Sequence, residues 1–267
     1  MNFQANQNTL PKSNSGQKSV FQVICPKVKG AKLYDLFPKV NEIATWVKKQ
    51  SKENNMVYET VILFSEMAID PGAHPEQHSV VVGTCNLMSP YSLPREPWFS
   101  VAFNIFEEDK NGVIANIGYL VTHDDIFWRQ KLTFTSYEKF VFVSYAIKSN
   151  LFGSDIVARE MISNNINQAN KVRGENSDFL QIVTPSGIIV EHRICADVFR
   201  EKSKTEPDIL VVSSAGLEIS EAANRFKTVL AHDGVQGMLT AGQKPRLISI
   251  KEESSFYVAT LLDESIQ

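Results

Sequence analysis

The sequence predicts an α/β fold, and three observations carry that reading. An apolar run, an amphipathic stretch and a second apolar run follow one another between residues 20 and 64. Two long runs rich in β-formers flank a polar turn between residues 98 and 122. A third apolar run ends on Cys195, and a fourth follows from Asp208. Strands alternating with helical patterns are the signature of crossover connections.

In chain order, residues 1–18 are rich in Asn, Gln, Ser and Lys without periodicity, so a flexible tail is expected. Val20-Phe21-Gln22-Val23-Ile24-Cys25 reads as a buried first strand. Leu33, Leu36, Phe37, Val40, Ile43, Ala44 and Val47 recur at helical spacing. Pro38 fits only near a first turn, so the regular helix is expected over about Pro38 to Lys52. Thr60-Val61-Ile62-Leu63-Phe64 is the second strand and runs into Ser65-Glu66. Prolines break residues 70–97, where Val80-Val81-Val82 fits either a strand or a short helix. Trp98 to Phe106 and Val113 to Thr122 read as strands joined at Glu107–Gly112. A further strand, Phe127 to Phe134, would carry Lys131. Residues 145–177 read as an insertion, with Ile156, Val157, Glu160, Met161 and Asn164 at helical spacing. The turn Thr184-Pro185-Ser186-Gly187 feeds the strand that ends on Cys195. Asp208 to Ser213 is another buried strand, and Ile219 to Leu230 reads as a helix. Arg246 to Ile250 and Phe256 to Leu262 form a last strand pair.

The 267 residues are 43% hydrophobic, enough for one large core, so a single domain over 19–267 is expected. A net charge of -3 leaves no electrostatic footprint for nucleic acid and no polybasic membrane anchor. No apolar run is long enough to span a bilayer, and no signal-peptide pattern opens the chain. Cys25, Cys85 and Cys195 are too few and too scattered for a disulfide framework. Free thiols in a reducing cytoplasm are the expectation. His74 and His78 flank Pro75, which disfavours the helix that would present both to a metal, so none is expected. No Walker loop and no Gly-x-Gly-x-x-Gly after a strand is present, and covalent chemistry carried by Glu, Lys and Cys needs no cofactor.

Chemistry-bearing residues sit at the margins of three apolar segments. Glu66 follows the second strand, Lys131 sits in Arg129-Gln130-Lys131-Leu132, and Cys195 ends Glu191-His192-Arg193-Ile194-Cys195-Ala196-Asp197. Glu138 follows Lys131 by seven positions, and Lys139 is a rival lysine. Taken singly, Cys195 reads as a small buried hydrophobe and Glu66 as a surface residue. Lys131 and Glu138 read as solvated, and His192 as structural. Taken in order, they resemble the nitrilase superfamily of carbon–nitrogen hydrolases, with its Glu-Lys-Cys triad. Pro207 to Ala215 and Asn116 to Val121 also resemble segments of that family.

The resemblance implies an α-β-β-α sandwich and hydrolysis of a small amide or nitrile through a cysteine thioester. Cys195 would be the nucleophile, Glu66 the general acid–base and Lys131 the oxyanion stabiliser. Glu138 would orient substrate and lysine. It also implies a homo-oligomer. Ser65 stands where the family usually has proline, and Ala196 where it has Tyr or Trp. These altered flanks, with a short tail after Cys195, motivate an alternative: a catalytically silent relative that binds a ligand or a protein. Amide transfer, with an amine resolving the thioester, is a third reading.

Overall fold

The computed structural model describes residues 19–31, 35–66, 68–69, 97–108, 114–123, 126–131, 180–200, 203–216, 218–219, 224–243 and 247–261. The expected tail, the proline-rich stretch 70–96 and the expected insertion lie outside them.

Two sheets face each other. The larger contains β1 (Ser19–Pro26), β2 (Val57–Leu63), β3 (Trp98–Glu108), β4 (Ile114–Thr122), β5 (Ile126–Gln130), β11 (Leu247–Glu252) and β12 (Phe256–Leu261). Its order is β11-β12-β1-β2-β3-β4-β5. The smaller contains β6 (Leu180–Val183), β7 (Ile189–Ile194), β8 (Ile209–Ser214), β9 (Val229–Asp233) and β10 (Gly237–Ala241), in the order β10-β9-β8-β7-β6. β1, β2 and β3 are mutually parallel, as are β7, β8 and β9. Their C-terminal ends are where a functional site sits in such sheets.

Alternation along each strand builds two of the three cores. Inward residues Phe21, Val23, Val61, Leu63, Ala102 and Leu120 meet Val190, Ile209, Val211 and Leu230 of the second sheet. Outward residues Ile24, Ile62, Phe99, Val101, Phe103 and Tyr119 meet helix α1 (Leu36–Asn54). That helix forms because Leu36, Val40, Ile43, Ala44 and Val47 make one buried stripe. Burying each larger member of the stripe stabilises the layer by about 1.5–3 kcal/mol. Pro38 lies in the first turn, where its missing N–H costs no bond. Asn55, in the left-handed region at φ 52°, ends the helix and donates to the Ser51 carbonyl. The third core, on the outer face of the second sheet, joins Leu210, Val212, Val229 and Ala231 to Val198, Ile219 and Phe226.

Two expectations are corrected. Where spacing suggested a helix over Ile219 to Leu230, Asn224 to Lys227 form a turn and β9 begins at Val229. Burial of all five β9 residues favours a central strand over an amphipathic helix. The strand expected to carry Lys131 stops at Gln130, and Lys131 lies just beyond it.

The Thr184-Pro185-Ser186-Gly187 turn links β6 to β7 at the end of β7 opposite Cys195. Gly187 adopts φ 88°, and its N–H donates to the Thr184 carbonyl at 2.9 Å. Ser186 Oγ donates to Glu59 Oε2 on β2 at 2.6 Å, so the turn ties the two sheets together.

Candidate active site

β2 runs out at Leu63, and the second sheet holds its end at Leu63, Phe64 and Glu66. His232 Nδ1–H donates to the Leu63 carbonyl at 2.8 Å. Ser213 Oγ donates to the Phe64 carbonyl at 2.8 Å, and the Glu66 N–H donates to the Ser214 carbonyl at 3.2 Å. This fixes the backbone from which the Glu66 carboxylate extends. The carboxylate is buried, and its Oε1 accepts from Lys131 Nζ at 2.7 Å and from Asn116 Nδ2 at 2.9 Å. Lys131 is buried as well.

Asn116 has a double role. Its carbonyl accepts the Lys131 N–H at 2.7 Å while its side chain holds Glu66. Its Oδ1 accepts from Asn104 Nδ2 at 2.9 Å, which fixes the amide orientation. One residue of β4 therefore sets both the lysine backbone and the carboxylate.

Cys195 follows directly on β7 and opens a short 3-10 helix, Cys195–Phe199. It adopts φ 42°, in the left-handed region that costs a side-chain-bearing residue about 1–3 kcal/mol. Such strain clusters at functional sites. The preceding Ile194 pairs with Ser213, whose neighbour Ser214 accepts the Glu66 N–H. Ile194 also packs on Gly118 of β4, where an added Cβ would lie 3.0 Å from Ile194 Cδ1. The contact leaves little room at 118, where an alanine methyl would press on Ile194. These links bring Glu66, Lys131 and Cys195 to the same end of the sandwich.

Cys195 is only 3% exposed. Asp197, two residues on, is also buried and interacts electrostatically with Arg129 of β5. Burial lowers the Arg129 pKa, and Asp197 opposes that shift. Arg129 thus links the Cys195 turn to the strand that delivers Lys131.

His192 is buried on β7. Ser213 Oγ gives its proton to Phe64, so His192 Nε2–H donates to Ser213 Oγ at 3.0 Å. Burial pushes the His192 pKa down to about 3. His232 is pushed down to about 4 by burial, against the opposing effects of its bond to Leu63 and of Asp233. Cys25 lies in the core between the sheets, where burial drives its thiol pKa far upward. Glu138, Lys139, Cys85, His74 and His78 lie outside the described residues. Sequence reasoning assigned no role to Asn104 or Arg129, and none to Asn116 beyond a segment likeness. The available signal was asparagine in the inward phase of two apolar strands.

No protein-family model matches the chain, and no characterised sequence does. Solved structures match over most of its length. One is a mutant of the Nesterenkonia AN1 amidase of the nitrilase superfamily, at TM-score 0.52 and 10% identity, covering 93% of each chain. Another mutant of that amidase matches at TM-score 0.52 and 11% identity, over 92% of this chain and 94% of that one. In that structure acrylamide has undergone Michael addition at the active-site cysteine. A glutamine-dependent NAD+ synthetase from Acinetobacter baumannii matches at TM-score 0.55 and 13% identity, over 92% of this chain and 46% of that one. The fold is that of the nitrilase superfamily. At this level of identity the nitrilase likeness concerns architecture: two facing sheets with parallel strands whose C-terminal ends gather in one place.

Proposed function

We propose that the chain is a carbon–nitrogen hydrolase acting on a small amide, with Cys195 as nucleophile. The observation that carries the reading is the buried 2.7 Å contact between Lys131 Nζ and Glu66 Oε1, at the end of the sandwich where β7 delivers Cys195. A buried carboxylate and ammonium without catalytic purpose are an expensive way to fill a core. The nitrilase fold and the cysteine chemistry of the AN1 amidase support the same reading.

In this mechanism Glu66 takes the thiol proton as Cys195 Sγ bonds to the amide carbon. Lys131 stabilises the oxyanion that forms on the carbonyl oxygen. Glu66 passes its proton to the nitrogen, the carbon–nitrogen bond breaks, and ammonia or an amine leaves. A water then attacks the thioester, giving its proton to Glu66. Collapse releases the acid, and the thiolate regains its proton. Glu138 is proposed as the second carboxylate that orients substrate and lysine. Nitriles are the alternative substrates, and an amine in place of water would make the reaction a transfer. The active unit is proposed to be a homo-oligomer.

The burial of Cys195 favours a second reading, a silent nitrilase-fold protein that binds a ligand or partner. Peptide mass spectrometry of iodoacetamide alkylation separates the two. The hydrolase reading expects Cys195 in the folded protein to react much faster than Cys25, and Glu66→Gln to change that rate. A Cys195 as inert as Cys25 and indifferent to Glu66 gives the silent reading the lead.

A further inference from the structure

A buried ion pair lies directly beneath the Cys195 turn, and the mechanism above leaves it unused. Glu191 and Arg193 alternate with His192 and Ile194 along β7, so they face away from the inter-sheet core. Both side chains are fully buried, and Arg193 Nε donates to Glu191 Oε1 at 2.5 Å. Glu191 is held further: its Oε2 accepts from Gln181 Nε2 at 2.7 Å and from Ser203 Oγ. The Arg193 guanidinium stacks over Phe226, 4.9 Å from the ring centroid. Its other arm reaches forward along the chain. Arg193 NH1 donates to the Asp197 carbonyl at 3.1 Å and to the Arg200 carbonyl at 3.4 Å.

Asp197 lies within the 3-10 helix that Cys195 opens, and Arg200 caps its end. A cation at a helix C-terminus meets carbonyls at the negative end of the helix, and here the Asp197 carbonyl also accepts the Arg200 N–H at 3.1 Å, so Arg193 and the cap hold the same turn. The guanidinium fork is the one side chain that can hold a carboxylate with one edge and two carbonyls with another. The turn it holds contains a left-handed non-glycine residue, a conformation that persists only where its surroundings enforce it.

We infer that Arg193, braced by Glu191, is the positioning residue that clamps the Cys195 turn in its left-handed conformation. This rests on the reading of Cys195 as nucleophile. Arg193 touches no reacting atom; it acts through the backbone of residues 195–200.

The test uses the full chain, with Glu191→Gln/Arg193→Met as the main variant, since removing both charges leaves neither one buried alone. Arg193→Lys is the conservative variant, keeping a cation but not the fork. Two quantities are read: deuterium uptake of the peptide spanning Cys195–Arg200, and the ratio of Cys195 to Cys25 iodoacetamide alkylation rates. The clamp predicts faster uptake in that peptide and a fall of about tenfold or more in the ratio for the double variant. Arg193→Lys should recover part of the ratio. Unchanged uptake overturns the clamp. Faster uptake with an unchanged ratio also overturns it, because the pair is then only structural. A wild-type Cys195 no more reactive than Cys25 instead sinks the nucleophile reading, and the positioning role falls with it.

Discussion

Lys131→Met is the perturbation that bears most directly on the site geometry. Lys131 Nζ and Glu66 Oε1 are 2.7 Å apart, with side chains 0% and 3% exposed. At an effective dielectric of about 20, charges at that distance attract by about 6 kcal/mol. Methionine keeps the volume of the stem but removes the charge. Part of the lost attraction is returned, because an ammonium need no longer be desolvated. The net cost expected for breaking such a pair from one side is about 3–5 kcal/mol. In a chain of this size that lowers the thermal midpoint by roughly 10 °C. The assay is urea unfolding of wild type, Lys131→Met, Glu66→Gln and the double variant. The double variant should lie within about 1.5 kcal/mol of wild type, since it leaves no charge buried alone. A cost for Lys131→Met below about 1 kcal/mol, the value of an exposed pair, would refute the reasoning. Glu66 and Lys131 would then be solvated, and the proposed mechanism would lose its preorganised site.

Asn116→Ala removes a donor to Glu66 and an acceptor for Asn104, and is expected to cost about 2–3 kcal/mol by urea unfolding; a loss below 0.5 kcal/mol, roughly the surface value, argues against the network. Gly118→Ala sets a methyl 3.0 Å from Ile194 Cδ1 and should cost about 1–2 kcal/mol, with Ile194→Val restoring part because it deletes that atom. Additive losses in the pair would show that β4 and β7 do not meet there. His192 and His232 are held neutral in the fold, with pKa values near 3 and 4 against 6.5 when unfolded. As pH falls from 6.5 towards 4 the unfolded chain takes up protons that the folded chain refuses, so stability falls. Each ring contributes a slope of up to about 1.4 kcal/mol per pH unit. Urea midpoints between pH 7 and 4.5 should show this, and His192→Gln should remove one share of the slope; an unchanged slope refutes the assignment.

Several strands were legible in sequence because both of their faces are buried. β1, β2 and β8 read as continuous apolar runs because each lies at the centre of its sheet. Helix α1 was legible for the opposite reason, since only one of its faces is buried. β9 was misread because Ile219, Phe226, Val229 and Leu230 happen to fall at helical spacing, while pairing with β8 and β10 decides the outcome. β6 is too short to announce itself, and glycines interrupt β10 and its exit. At the site, Glu66 and Cys195 were legible because each ends an apolar run. Asn116, Arg129 and Arg193 were not, because their partners are set by strand register and by the approach of two sheets. No local pattern encodes that Asn116 carries both Lys131 and Glu66.

The placement of β12 has a consequence for how the protein is made. It lies between β11 and β1, with Thr260 opposite Gln22. Until residues 256–261 have left the ribosome, β1 presents a row of unsatisfied N–H and C=O groups as an open edge. The larger sheet is therefore completed only after synthesis has passed Leu261, and its closure joins the two most distant described segments of the chain. Such non-local closure is slow relative to helix formation. During that interval the nascent chain is a target for strand addition by another copy, so its yield in the cell should depend on chaperone capacity more than its final stability would suggest.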